Sequence, residues 1–391
     1  MRQLSALQSS EVMMISTARR VMLGGASLGA LLSSGCSGWF SNSKPALAPL
    51  VAPSGGATLQ IDWQRSLPGS ASLVPSLTEQ TVMAAGRDGT VVAWDLASGA
   101  ERWRVKAPTE LVAGVGAGSD VAVVGGRNGV LYAYATGGRT AWSARVGAEL
   151  VSQPLVREGM VFVRGSDNRV TAFELASGQR RWSFVRQGPA LVLRQMTALA
   201  ADRESVYVGL PGGRLVALAL TSGALRWEAA VASPRGSNEI ERIADIVGAP
   251  VLAGGEVCAS AYQGRVGCFE ASSGRVSWAR ELNASGGTDV DARLLVACDD
   301  KGHVHAFARS GASLWRQEQL AGRVLCGPAL SPAHVVVGDA QGLLHVLSRD
   351  DGVVQARLSL DGSAITAAPR VRGKRIVVQT QAGTLAALTL Q

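Results

Sequence analysis

The sequence lacks most of the short motifs that mark catalytic centres. After residue 36 it contains no Gly-x-Ser-x-Gly elbow, and nowhere does it contain a His-Glu-x-x-His pair or two adjacent cysteines. The glycine-rich stretch at residues 114–118 is not followed by the Lys-Ser/Thr pair of a phosphate-binding loop, so we predict strand and turn there. These absences predict a protein that is not an enzyme and that has no cofactor.

Long runs of one residue class are also missing. Charged residues form 17% of the chain and hydrophobic residues 47%, a balance typical of a packed β protein rather than a disordered one. The chain has a formal net charge of +8, but no block of five basic residues and no aromatic stacking motif, which argues against nucleic acid as a partner. Beyond the N-terminus no long apolar stripe follows the 3.6-residue period of a helix.

The sequence does contain a repeat that returns about every forty residues. Its fullest copies are residues 93–103, 172–182, 217–227 and 268–278, each with a strand-like ending, a Ser-Gly turn and a Trp four residues after the glycine. A looser half-motif, Gly-x-apolar-x-Ala-apolar, begins eight times, at Gly89, Gly129, Asn168, Gly213, Gly264, Gly302, Gly342 and Gly383. A unit of that length with four short strands is typical of a propeller blade.

The predicted fold is all-β, an eight-bladed β-propeller of four-stranded antiparallel blades over residues 59–391. Copies one to six keep their Trp, copy seven has Ala356 in its place, and copy eight reaches the C-terminus without a fourth strand. A strand around Trp63 is otherwise unassigned, so we predict that it pairs with the last blade. This closure would remove the exposed edges of an open ring.

The first 35 residues are predicted to be a signal peptide. Arg19 and Arg20 precede an apolar run at residues 21–32 that is too short to span a bilayer and ends in small residues before Cys36. The Ser-Ser-Gly-Cys sequence resembles a bacterial lipobox, which implies lipidation of Cys36; a plain secreted protein is the alternative. Residues 36–58, rich in Ser, Pro, Gly and Ala, are predicted to form a flexible tether.

Export would place the remaining four cysteines in an oxidising compartment. Cys258 and Cys268 flank a hairpin turn and could form a cross-strand disulfide, whereas Cys298 and Cys326 belong to neighbouring units. Four cysteines allow three pairings, and apolar strand positions make buried free thiols at least as good an interpretation.

The repeat contains two further groups of residues that could form a site, its histidines and its acidic turn residues. His305 and His345 occupy the same place in adjacent units, with His303 nearby, but no third ligand has a suitable spacing, so no metal site is predicted. The full motif resembles the repeat of dehydrogenases that use pyrroloquinoline quinone (PQQ). Those enzymes pair adjacent cysteines above the cofactor and hold calcium beside a catalytic Asp. Here the acidic residues sit in equivalent turns of different blades, at Asp95, Glu174 and Glu270, so they are expected to be part of the repeat.

Two segments break the repeat, and we call them the first insert (residues 186–194) and the second insert (residues 233–245). They lengthen units four and five to 45 and 51 residues. Each combines apolar and charged residues around a turn-forming Pro or Gly, the composition of a protein-binding patch. Adjacent blades should bring the inserts to the same sector of the ring; the alternative is that they only cover the channel mouth.

From Cys36 onward the chain resembles the propeller lipoprotein family of the outer-membrane β-barrel assembly machinery. The most specific matches are Leu-Val-Leu-Arg at residues 191–194 and Glu-Ile-Glu-Arg-Ile-Ala-Asp at residues 239–245. The resemblance implies that these loops dock on the periplasmic POTRA domains of the barrel-forming subunit. It implies partner contacts from Leu191 and Leu193 as apolar anchors, Arg194 as a charged contact, Asp245 as an acidic contact, and Glu241 and Arg242 beside them.

The same resemblance implies a non-catalytic scaffold, lipid-anchored on the periplasmic side of the outer membrane. Its expected partner is the barrel-forming subunit, with nascent outer-membrane proteins as a second candidate. The alternatives are a free periplasmic propeller that binds a ligand over its channel and a PQQ-dependent quinoprotein.

Overall fold

The computed structural model describes residues 46–69, 73–118, 121–189, 191–193 and 197–391. These residues form strands and turns and no helix, and so none that could cross a membrane. The predicted signal peptide, Cys36 and Arg194 lie outside the described residues.

The strands form eight four-stranded antiparallel sheets, which confirms the predicted eight-bladed propeller. Each blade runs from an inner strand to an outer strand. The strands, in chain order, are β1 (Leu59–Ser66), β2 (Ser76–Leu77), β3 (Thr81–Ala85), β4 (Thr90–Asp95), β5 (Glu101–Lys106), β6 (Gly116–Ala117), β7 (Val121–Gly125), β8 (Val130–Ala135), β9 (Thr140–Arg145), β10 (Leu155–Arg157), β11 (Met160–Arg164), β12 (Val170–Glu174), β13 (Arg180–Phe184), β14 (Leu199–Ala201), β15 (Ser205–Leu210), β16 (Arg214–Ala219), β17 (Leu225–Ala230), β18 (Ile246–Ala253), β19 (Glu256–Ala261), β20 (Gly264–Glu270), β21 (Val276–Leu282), β22 (Ala284–Val290), β23 (Leu294–Asp299), β24 (Val304–Ala308), β25 (Ser313–Gln317), β26 (Ala329–Leu330), β27 (His334–Gly338), β28 (Leu343–Ser348), β29 (Val354–Ser359), β30 (Arg370–Arg372), β31 (Arg375–Gln379) and β32 (Thr384–Leu390). Blade 1 is β2–β5, and each later blade takes the next four strands until blade 8, which combines β30, β31 and β32 with β1.

The ring is closed by the N-terminal strand, as predicted. β1 pairs antiparallel with β32 from Leu59 opposite Leu390 to Ser66 opposite Thr384. Just beyond the strands, Thr58 and Gln391 exchange two backbone hydrogen bonds of 2.8 and 3.0 Å. The last blade therefore takes its outermost strand from the opposite end of the chain.

The repeat Trp packs against the Ser-Gly turn of the next blade. The indole Nε1 of five of these residues donates to a turn carbonyl of the following blade at 2.7–2.9 Å; the pairs are Trp63–Leu96, Trp142–Leu175, Trp182–Leu220, Trp227–Ala271 and Trp315–Arg349. The Ser-Gly turn of the next blade covers the indole ring, and the glycine of that turn has φ near +70°. A Cβ on Gly178, for example, would lie 2.5 Å from the Trp142 ring. Only glycine meets both the conformation and the close approach, which explains the Ser-Gly and Trp pairing in the repeat.

Blade 7 shows why one copy of the repeat has lost its Trp. Ala356 occupies the Trp position of blade 7 and faces blade 8. The two outermost strands of blade 8, β32 and β1, are not joined by a hairpin, so blade 8 has no Ser-Gly turn to cover an indole. The segment before β1 packs there instead: Ser54 N donates to Val354 O at 2.9 Å, and Ala57 packs on the same apolar cluster as Ala356.

Residues 46–58 lie against blades 6 and 7. Ala48 N donates to Ala321 O at 2.9 Å, and Arg357 Nη1 donates to Val51 O at 3.1 Å. The composition of residues 36–58 predicts a flexible tether. These contacts attach its described part to the propeller.

The cysteines divide into one disulfide and two buried thiols. Cys258 and Cys268 face each other across β19 and β20 and are bonded, with a Cα–Cα distance of 4.0 Å. Cys298 and Cys326 are free, and burial raises the pKa of both thiols, that of Cys326 to about 12. The cross-strand pairing is therefore the correct one of the alternatives left open by the sequence.

Loss of the disulfide should lower the stability of blade 5. We expect Cys258→Ala/Cys268→Ala to reduce the free energy of unfolding by about 2–3 kcal/mol, because the bond closes a short loop in the unfolded chain. Urea unfolding would measure the change, with Cys298→Ala as a control that removes a buried thiol but no bond. An unchanged midpoint for the double variant would contradict the assignment.

Candidate partner-binding site

The two inserts lie on one face of the ring. The first insert falls between β13 and β14 and the second between β17 and β18. Each connects the outermost strand of one blade with the innermost strand of the next, so both emerge on the same face, which we call the crossover face. They also meet, because Leu193 N donates to Asp245 Oδ2 at 2.6 Å. The prediction that adjacent blades bring the inserts together is confirmed.

Asp245 connects the inserts from inside the protein. Its carboxylate accepts one hydrogen bond from Leu193 N and a second, of 2.8 Å, from Gly212 N in the β15–β16 turn. Asp245 is only 5% exposed. The resemblance implied an acidic group that meets the partner, whereas the structure places this carboxylate beneath the surface, where it orders two loops and a turn.

A buried arginine of blade 3 lies near this carboxylate. Arg164 donates from Nη1 to Gly209 O at 2.8 Å. Burial lowers the pKa of Arg164 to about 10, and the negative charge of Asp245 acts against that shift. The two charges therefore partly offset each other's desolvation at the base of the inserts.

Glu241 stabilises the second insert from within. Its carboxylate accepts hydrogen bonds from Ser237 N at 2.7 Å and Ser237 Oγ at 2.9 Å, and these bonds lower the pKa of Glu241. Its own N–H donates to Asn238 Oδ1 at 2.9 Å. Glu241 is thus committed to the turn at residues 237–241, although it remains exposed on the surface.

The outer surface of the inserts exposes apolar side chains next to charged side chains of both signs. Leu191 is 41% exposed and Ile240 is 69% exposed, while Leu193 is half-buried. Arg242 is exposed and forms no ion pair with the described residues. We call Leu191, Ile240 and Arg242 the insert surface.

Sequence reasoning assigned this surface only in part. It selected Leu191, Leu193 and Arg242 but not Ile240, the most exposed large apolar side chain of the described chain. The signal was present, since Ile240 lies in the middle of a polar and charged segment where no strand partner is expected to bury it. A cleft of about 280 Å³ lies between the first insert and the β15–β16 turn, and Pro234 of the second insert also lines it.

The histidines form two separate clusters. His303 Nδ1 and His305 Nε2 each lie 2.9 Å from Asp299 Oδ2, and His345 Nε2 lies 2.9 Å from Asp339 Oδ2 in the next blade. His305 and His345 are therefore bonded to different carboxylates. Asp299 is a potential third metal ligand that the sequence reasoning missed.

A cation next to the first cluster works against a metal there. Arg316 Nη2 lies 3.0 Å from His303 Nδ1, and its positive charge would repel a metal ion. Burial acts to raise the pKa of Asp299, but the hydrogen bonds with His305 and His303 outweigh it and hold the pKa well below its usual range.

Comparison with known proteins decides the family. The family model described as "Outer membrane protein assembly factor BamB" matches residues 47–114, 87–310 and 300–391. The assembly factor BamB of Bordetella pertussis is 39% identical over 364 residues, which cover 91% of this chain and 94% of that protein. The chain belongs to the BamB family of outer membrane protein assembly factors. The BamB of Burkholderia pseudomallei is 39% identical over 317 residues, 81% of this chain and 83% of that protein.

Solved structures agree with this membership. The crystal structure of BamB from Moraxella catarrhalis has a TM-score of 0.79 at 27% identity and covers 85% of this chain and 100% of that one. The quinohemoprotein alcohol dehydrogenase of Comamonas testosteroni has a TM-score of 0.64 at 13% identity, covering 85% and 76%. The dehydrogenase shares the propeller fold alone. Family membership therefore rests on the assembly factors, which this chain matches at 27–39% identity.

Proposed function

We propose that this chain is a non-catalytic scaffold of outer-membrane β-barrel assembly and that its insert surface docks on the POTRA domains of the barrel-forming subunit. Its relatives are named for outer membrane protein assembly. The observation that carries the docking proposal is the Asp245 junction, because it holds two inserts of adjacent blades in one fixed arrangement. A surface ordered before binding loses less conformational entropy when its partner arrives.

The chemistry of the insert surface suits a protein partner. Leu191 and Ile240 expose aliphatic side chains to solvent, and Arg242 follows Ile240 by two residues in the chain. Apolar anchors with an adjacent arginine are the typical composition of an interface centre. Glu241 is exposed and keeps its negative charge although it is bonded to Ser237, and Glu239 is exposed as well, so this surface offers a partner charges of both signs. Complementary charges on the POTRA domain are the expected counterpart.

The proposal includes a lipid anchor at Cys36, which would hold the propeller on the periplasmic face of the outer membrane. Nascent outer-membrane proteins remain a second candidate partner, and the outer strands of the blades offer edges to which an extended segment could add. The scattered basic residues give no reason to propose nucleic acid.

Affinity purification from detergent-solubilised envelopes would test the docking. We expect Leu191→Ala/Ile240→Ala to reduce recovery of the barrel-forming subunit at least tenfold, because truncation of two anchors typically costs more than 1 kcal/mol each. The matched control is Leu225→Ala/Val276→Ala, which removes two equally exposed aliphatic side chains from the outer strands of blades 4 and 5.

The control should recover the subunit as the wild type does. Equal recovery with both pairs of substitutions would exclude the insert surface as the docking site. Failure of the wild-type chain to recover the subunit would exclude the scaffold itself.

A further inference from the structure

The central channel contains two cavities whose walls share Arg370 and several small residues. The first, of about 370 Å³, lies at the crossover-face end of the inner strands and includes Leu73, Val74, Thr197 and Leu325. The second, of about 420 Å³, lies at the other end and includes Leu77 and Leu330. We call them the crossover cavity and the far cavity. Arg370, at the start of β30, lines both.

Arg370 is held across the channel by neutral groups. Its Nη2 donates to Gln153 Oε1 at 2.8 Å, and its Nε donates to Pro75 O at 3.3 Å. Gln153 is itself fixed, because its Nε2 donates to Val115 O at 2.5 Å. Pro75 precedes the inner strand of blade 1 and Gln153 that of blade 3, so the guanidinium extends from blade 8 past its neighbour toward blade 3.

The positive charge of Arg370 has no ion-pair partner. Within the described part of the chain no carboxylate forms a salt bridge with it, and its Nη1 makes no hydrogen bond. The nearest acid in the far cavity, Asp289, is engaged with Leu330 N at 2.8 Å and with Val290 N at 2.9 Å. Burial lowers the pKa of Arg370, and the negative charge of Asp289 acts against that shift without forming a salt bridge.

The remaining wall of the crossover cavity is apolar with a few neutral polar groups. Arg370 is the only charged side chain that the described residues contribute to it. The apolar part is formed by Leu73, Val74, Leu325 and small alanines, and the neutral polar part includes Thr366. A ligand that fits must therefore carry one negative charge and a short apolar body, since a second charge would be buried without a partner.

We propose that the crossover cavity binds a small monocarboxylate with a short aliphatic tail, its carboxylate on the guanidinium of Arg370 and its tail against Leu73, Val74 and Leu325. The free Nη1 donates to the carboxylate, and a planar guanidinium is well suited to this contact. The site goes beyond the proposed scaffold function and does not involve the insert surface.

The test uses hexanoate and its neutral isostere hexanamide as probes for the full-length chain. Binding is followed by saturation-transfer NMR and by calorimetry. Hexanoate should bind the wild-type chain, and hexanamide should bind at least tenfold more weakly. Arg370→Gln should weaken hexanoate binding at least tenfold, whereas Arg372→Gln, two residues along the same strand and outside the crossover cavity, should leave it unchanged.

Two further variants distinguish a specific loss of binding from a folding defect. Arg370→Lys keeps the charge and should retain measurable binding, and Ala198→Leu fills the cavity without touching Arg370 and should abolish binding. Thermal unfolding of each variant shows that it is folded. Equal binding of hexanoate and hexanamide, undiminished binding by folded Arg370→Gln, or no binding by the wild-type chain would overturn the proposal.

Discussion

Replacing Asp245 with alanine should both destabilise the protein and abolish its docking on the barrel-forming subunit. The substitution leaves the buried N–H groups of Leu193 and Gly212 without acceptors, and each orphaned donor costs about 1–3 kcal/mol. It also removes the negative charge near Arg164. We therefore expect a loss of about 2–5 kcal/mol in the free energy of unfolding and at least a tenfold loss of partner affinity.

Asp245→Asn provides an intermediate case for both effects. The amide keeps one acceptor oxygen, so the variant should retain one of the two loop contacts and fall between wild type and alanine in both measurements. Asp167→Ala is the matched control, because that exposed carboxylate accepts a hydrogen bond only within its own turn. Urea unfolding and the affinity for isolated POTRA domains are the measurements. Wild-type affinity in folded Asp245→Ala would show that the junction does not order the docking surface.

Trp63→Ala should open the ring. Trp63 is buried, covers the turn at Gly99 and donates to Leu96 O at 2.9 Å, so it joins the closing strand to blade 1. Truncation of a buried Trp typically costs about 3–5 kcal/mol. Release of β1 would in addition expose the edge of β32, and an unpaired edge promotes aggregation.

Trp142→Ala is the informative comparison for ring opening. Trp142 makes the same contact with the next blade, to Leu175 O at 2.7 Å, but its strand is joined to blade 2 by a hairpin. Both variants should lose stability in urea, while only Trp63→Ala should form concentration-dependent aggregates in size-exclusion chromatography. Stability within about 1 kcal/mol of wild type for Trp63→Ala would contradict the closure account.

The fold was largely predictable from the sequence because the residues that determine it are local and recur from blade to blade. The Ser-Gly turn and the following Trp mark each blade, since both ends of the contact between blades recur with every unit. Even the exception at Ala356 was visible as a missing Trp. Its physical reason was not, because it depends on the pairing of β1 with β32, which joins opposite ends of the chain.

The site was less predictable because its contacts connect distant residues. Leu193 and Asp245 are 52 residues apart, and nothing in either segment indicates that a backbone N–H of one will donate to a buried carboxylate of the other. The resemblance pointed to the two segments that meet in the structure, but it implied an exposed role for Asp245. The disulfide was open for a similar reason: spacing placed Cys258 opposite Cys268 but could not decide between a bond and two thiols.

A photo-crosslinking amino acid at position 240 tests the docking proposal most directly. Incorporated in place of Ile240 and irradiated in intact cells, it should yield an adduct between this chain and the POTRA region of the barrel-forming subunit. The same amino acid in place of Val276, exposed on the outer strand of blade 5, should yield none. An adduct from position 276 alone, or from neither position, would contradict docking through the insert surface.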